Sequence, residues 1–88
     1  MTYNESVTVH DSMGLHARPA GQIVKLVRES GLEVQIAKQD GQVTSGLSAL
    51  RMMAMKVRSG DTIEVRVETD DTSAAKALVA QIQEFLKG

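Results

Sequence analysis

The chain has no cysteine and no tryptophan, and only one proline, one tyrosine and one phenylalanine in its 88 residues. Without cysteine there is no disulfide framework and no thiolate metal site. The near absence of aromatic side chains removes the stacking platforms that hold single-stranded nucleic acid. An excess of one charge is lacking too. Ten Lys and Arg against eleven Asp and Glu leave a net charge of −1, whereas a general nucleic-acid binder carries a basic surplus. No apolar run reaches the length of a bilayer span. The opening Met1-Thr2-Tyr3-Asn4-Glu5 has neither the basic nor the apolar region of a secretory leader. These absences lead to the expectation of a cytoplasmic protein with no membrane insertion, no metal and no cofactor. A chain of this length forms one domain, residues 1–88, and buries roughly 60–65% of the surface exposed when unfolded.

What is present is a regular alternation of patterns. Val7 and Val9 alternate with Ser6, Thr8 and His10, which predicts a strand over 5–10 with His10 on the solvent phase. Asp11, Ser12 and Gly14 form a turn cluster, and Ser12 is expected to brace the loop that follows. Ala20, Ile23, Val24 and Val27 recur at helical spacing and predict a helix over 17–29 ended by Ser30-Gly31. Leu32, Val34 and Ile36 predict a second strand, Asp40-Gly41 a hairpin turn, and Gln42 to Thr44 a third strand. The run from Ala49 to Lys56 has no β-branched residue and predicts a short helix beginning near Ser48. Thr62 to Glu68 is a fourth strand with Ile63, Val65 and Val67 inward. A last helix over 73–86 is expected to bury Ala74, Ala75, Ala77, Leu78, Ile82 and Phe85. The order is βαββαβα, and a single apolar face per strand calls for an α+β fold whose sheet is covered by helices on one side.

The chemistry concentrates in Gly14-Leu15-His16-Ala17-Arg18-Pro19-Ala20-Gly21. His16 stands at the mouth of the first helix, where unpaired N–H groups and the helix dipole favour an anion. Pro19 suits the first turn, where a missing N–H costs nothing. Arg18 offers a planar, permanently charged fork matched to phosphate. Unperturbed imidazole titrates at about pH 6.5, so at neutral pH much of it is a neutral nucleophile. A nucleophile, an anion-binding helix end and an arginine together describe a phosphorylation site. A histidine in this position is also what an ordinary cap or a solvated surface would carry.

The string Gly-Leu-His-Ala-Arg-Pro-Ala resembles the active-site signature of the histidine-containing phosphocarrier (HPr) family of the bacterial sugar phosphotransferase system. The element order resembles that family along the whole chain. The resemblance implies an HPr-like open-faced β-sandwich, a four-stranded antiparallel sheet with three helices on one face. It implies a monomeric phosphoryl carrier rather than an enzyme, with His16 accepting the group on Nδ1 from enzyme I and passing it to the enzyme II A component of a sugar permease. Arg18 and the backbone of Ala17, Arg18 and Pro19 would stabilise the phosphoryl group. By family position the partner surface would comprise Ala20, Gln22, Lys25 and Arg28 from the first helix and Ala49, Leu50, Arg51 and Met53 from the second. Ser48 matches the family's regulatory serine, the target of an HPr serine kinase/phosphorylase, and it is equally a plain helix N-cap. Here the chain departs from the family by carrying Arg51, Met52, Met53 and Lys56 where small residues are common. The alternatives are a carrier in a nitrogen-regulatory or dihydroxyacetone-kinase circuit, and an unmodified ligand-binding module.

Overall fold

The computed structural model describes all 88 residues. Along the chain lie β1 (Thr2–Thr8), α1 (Ala17–Ser30), β2 (Glu33–Lys38), β3 (Val43–Ser45), α2 (Ala49–Ala54), β4 (Thr62–Glu68) and α3 (Thr72–Phe85). The strands form one sheet in the order β1-β4-β2-β3, and every neighbouring pair is antiparallel. The register sets Val7 opposite Ile63, Val34 opposite Val67 and Ile36 opposite Val65. Because side chains alternate across a strand, this places all six on one face, and each is at most 2% exposed. Burying a side chain of this size is worth about 1.5–3 kcal/mol. Ala20, Ile23 and Val27 of α1, Met52 of α2, and Ala75, Leu78, Val79 and Ile82 of α3 complete the same core. The fold is therefore the expected open-faced sandwich, with its helices on the apolar face.

Several boundaries differ from the sequence pattern. β1 begins at Thr2 and ends at Thr8, because its pairing with β4 continues out to Thr2 opposite Glu68. Val9 lies beyond the strand yet is fully buried. β3 starts at Val43, after Gln42. α2 stops at Ala54, and Lys56 adopts φ 56°, a left-handed conformation that no continuing helix allows. α3 is rolled relative to expectation. Ala75, Leu78, Val79 and Ile82 are buried, whereas Ala77 is exposed and Ala74 and Phe85 are only half-buried. The reason is size: turning Val79 inward buries more apolar surface than turning Ala77 inward.

Candidate functional site

The loop between β1 and α1 is fixed at several points before it reaches His16. The backbone N–H groups of His10 and Asp11 both donate to the Leu86 carbonyl at 2.9 Å, which fastens the loop to the end of α3. Gly14 has φ +70° and donates to the Asp11 carbonyl at 2.9 Å. Leu15 donates to the Val57 carbonyl at 3.0 Å and inserts its side chain into the core, where it is 4% exposed. With Leu15 inside, the next side chain, His16, is turned out toward the cleft.

His16 is the N-cap residue of α1, in extended conformation, and its side chain makes no capping bond. The ring is engaged elsewhere: Nε2 lies 3.0 Å from Asp11 Oδ2. Both side chains are largely shielded, at 25% and 14% exposure. The other carboxylate oxygen, Oδ1, accepts the Met13 N–H at 2.9 Å. The Met13 N–H first, then the hydrogen bond from His16, and more weakly the charges of His16 and Arg18, hold the Asp11 carboxyl below its ordinary range. A carboxyl with a lowered folded pKa stabilises the fold above its unfolded value and loses that contribution as pH falls through the folded value. Asp11 is thus ionised at neutral pH and can only accept. Neutral imidazole has one N–H, so the bond to Asp11 assigns it to Nε2 and leaves the lone pair on Nδ1.

The helix end that His16 caps is open. The first intrahelical bond runs from the Ala20 N–H to the His16 carbonyl at 3.1 Å, and the N–H groups of Ala17 and Arg18 have no backbone acceptor. Pro19 is buried and contributes no N–H. Arg18 is exposed and forms no ion pair within the chain. An anion at this helix mouth would meet unpaired amides, the positive end of the dipole and a free guanidinium.

His16 and Arg18 line one open cleft of about 670 Å³ together with Pro19 and Gln22. Sequence reasoning missed most of the remaining wall. Asp11, rather than Ser12, braces the histidine, and Ser12 makes no side-chain hydrogen bond. His10, Glu84, Phe85 and Lys87 also line the cleft. The only local hint of Asp11's role was a carboxylate within a turn cluster five positions before a histidine.

The expected contact surface needs one correction. Ala20 is 0% exposed and belongs to the core; it cannot touch a partner, since the periodicity that built α1 already turned it inward. Gln22, Lys25, Arg28, Leu50 and Arg51 are exposed, and Ala49 and Met53 are half-buried against the core. Of these, only Gln22 reaches the His16 cleft. Leu50 is 77% exposed and Leu47, outside the expected surface, 52%. Leu47 directly precedes the cap of α2, where an apolar residue open to solvent is a signal in itself. Ser48 is that cap, accepting the Arg51 N–H at 3.2 Å.

Residues 3–87 match the family model described as "PTS HPr component phosphorylation site". The chain is 34% identical over 74 residues to phosphocarrier protein HPr of Borreliella burgdorferi, covering 84% of this chain and 85% of that one. It is 28% identical to phosphocarrier protein NPr of Klebsiella oxytoca over 100% of its own length and 96% of the relative's. The crystal structure of a phosphocarrier protein HPr from Bacillus anthracis superposes with a TM-score of 0.81, covering 97% of this chain and 96% of that one. At 24% identity, that likeness bears on the fold alone.

Proposed function

The chain belongs to the HPr family of phosphocarrier proteins, and on that premise we propose that Nδ1 of His16 is the atom that carries the phosphoryl group. The observation that carries this reading is the bond from Nε2 to Asp11, which leaves Nδ1 as the free lone pair beside the open helix end. The lone pair of Nδ1 attacks phosphorus on a donor phosphohistidine. The donor P–N bond breaks, and its electron pair returns to the donor imidazole. Onward transfer to an acceptor repeats these events with His16 as the leaving group. Phosphoryl transfer asks chiefly for positioning and for stabilisation of charge on the equatorial oxygens. The amides of Ala17 and Arg18 and the Arg18 guanidinium supply that stabilisation. Incubation with phosphoenolpyruvate and enzyme I is expected to place one acid-labile phosphoryl group on the chain, and a chain that stays unlabelled would overturn the reading.

Arg18→Ala is expected to slow transfer on the order of 100-fold, the typical effect of removing one preorganised stabiliser of transition-state charge. Its melting temperature should hardly move, because an exposed side chain with no partner contributes about 0.5 kcal/mol or less. Rapid-quench transfer kinetics paired with a thermal melt check this, and unaltered kinetics would remove Arg18 from the mechanism.

The donor is enzyme I and the acceptor an enzyme II A component of a sugar permease. A nitrogen-regulatory circuit is the second reading, favoured by relatives named NPr that match the whole chain. Relative rates with the enzyme I of each branch separate the two. Docking on either would use exposed Leu47 and Leu50 together with Lys25, Arg28 and Arg51, an apolar centre with a positive rim suited to an acidic partner. Ser48 lies at the edge of that patch. As a cap, Ser48→Ala costs about 1 kcal/mol, while Ser48→Asp keeps the cap. If Ser48 also regulates docking, Ser48→Asp should raise the apparent KM for enzyme I at unchanged stability, because the added charge offsets the rim. Equal KM values would leave Ser48 a cap alone.

A further inference from the structure

The ionised carboxylate of Asp11 does more than orient a ring. In the neutral ring of His16 the single proton sits on Nε2, facing Asp11 Oδ2 at 3.0 Å. When Nδ1 bonds to phosphorus it uses its lone pair, and a ring that keeps the Nε2 proton becomes an imidazolium. If that proton is lost, the group leaving phosphorus in the next step is an imidazolate, a far poorer leaving group than neutral imidazole. The proton on Nε2 therefore governs how easily the phosphoryl group moves on.

We propose, resting on the carrier reading above, that Asp11 is a positioning residue that keeps Nε2 of His16 protonated throughout the transfer cycle. The ring then departs from phosphorus as neutral imidazole. In the loaded state the Asp11 carboxylate faces the imidazolium directly. In the discharge step the P–Nδ1 bond breaks, its electron pair returns to Nδ1, and the proton stays on Nε2. The starting tautomer is regenerated and no proton is exchanged with solvent.

The surroundings favour this arrangement. Asp11 is bound at the Nε2 edge of the ring, away from the phosphoryl group at Nδ1. Its other oxygen is anchored by the Met13 N–H, so the carboxylate is not free to swing toward Nδ1. The remaining ionisable side chains of the cleft are Arg18 on α1, His10 in the loop, and Glu84 and Lys87 at the end of α3. Glu84 and Lys87 are paired with each other at 2.8 Å, and Asp11 is the carboxylate hydrogen-bonded to His16.

The test compares the parent with Asp11→Asn and Asp11→Ala. Asparagine keeps the size of the side chain, and its one oxygen can still accept the Met13 N–H. Its NH2 then faces Nε2, so it removes the charge and the acceptor for the ring N–H; alanine removes the side chain altogether. Long-range ¹H–¹⁵N spectra of the unloaded proteins report the tautomer. The parent is expected to be protonated at Nε2, and Asp11→Ala to show a mixture of tautomers. The proteins are then loaded chemically with phosphoramidate, which needs no enzyme I, and loss of the phosphoryl group is followed against pH. Removing an opposite charge at this distance is expected to move the midpoint of that profile down by about one pH unit in Asp11→Asn. A parent protonated at Nδ1, or superimposable profiles for parent and Asp11→Asn, would overturn the proposal. Failure of the parent to accept a group from enzyme I would overturn the carrier reading instead, and the tautomer spectra keep the two failures apart.

Discussion

His16→Ala is expected to lose phosphoryl acceptance entirely and to melt close to the parent. The imidazole makes one hydrogen bond within the chain, to Asp11 Oδ2, and a bond of this kind is worth about 1 kcal/mol net. Asp11 keeps the Met13 N–H on its other oxygen and, at the mouth of an open cleft, is not stranded without partners. α1 loses no cap, because the His16 side chain makes no capping bond. The effect on transfer is absolute because no other side chain combines a nucleophilic nitrogen with the open end of α1. Label from enzyme I that persists in the variant at the parent level would contradict the assignment. It would point to His10, the other imidazole of the same cleft.

The largest expected loss of stability comes from Gly14→Ala. Gly14 has φ +70°, and a Cβ there would lie 2.3 Å from the Val57 carbonyl oxygen. That oxygen accepts the Leu15 N–H at 3.0 Å, so it cannot retreat without releasing the residue that seats the loop in the core. The left-handed conformation costs a side-chain-bearing residue about 1–2 kcal/mol, and overpacking adds about 1–3. For a domain of this size the sum corresponds to a fall in Tm on the order of 10–30 °C. Gly31→Ala is the control. Gly31 has φ +68° with nothing within 4 Å of the added atom, so it should show the conformational cost alone. Equal losses in the two variants would mean that the close approach at Val57 contributes nothing. Any Gly14→Ala protein that still folds should also transfer more slowly, since the loop carries both Asp11 and His16.

The parts of this structure legible from the residues are those set by local pattern. Period-two runs such as Ile63-Val65-Val67 have one face to bury, and the run from Ala20 to Val27 has one helical stripe. The pairing of β1 and β2 on either side of β4 was not legible. It joins segments far apart in the chain, and nothing local in Thr2 or Glu68 announces it. The same division runs through the site. His16, Arg18 and Pro19 are consecutive or nearly so, and their relation to a helix start follows from the order of residues. The contact between Asp11 and His16 depends on the positive φ of Gly14 and on tethers to Val57 and Leu86, which are tertiary facts. Glu84, Phe85 and Lys87 enter the cleft wall only because α3 returns to the β1–α1 loop. Ala20 departs from expectation for the opposite reason: family position makes it a contact, whereas the helical period places it inside.

The central claim is that one nitrogen, Nδ1 of His16, carries the phosphoryl group. The direct test is a ¹H–¹⁵N spectrum, with phosphorus coupling, of the protein loaded by phosphoenolpyruvate and enzyme I and then mixed with an acceptor. The account predicts phosphorus bonded to Nδ1 of His16 with Nε2 still protonated, and return of both signals to their unloaded positions once the acceptor is added. Phosphorus on Nε2, on His10, or on a serine would contradict it.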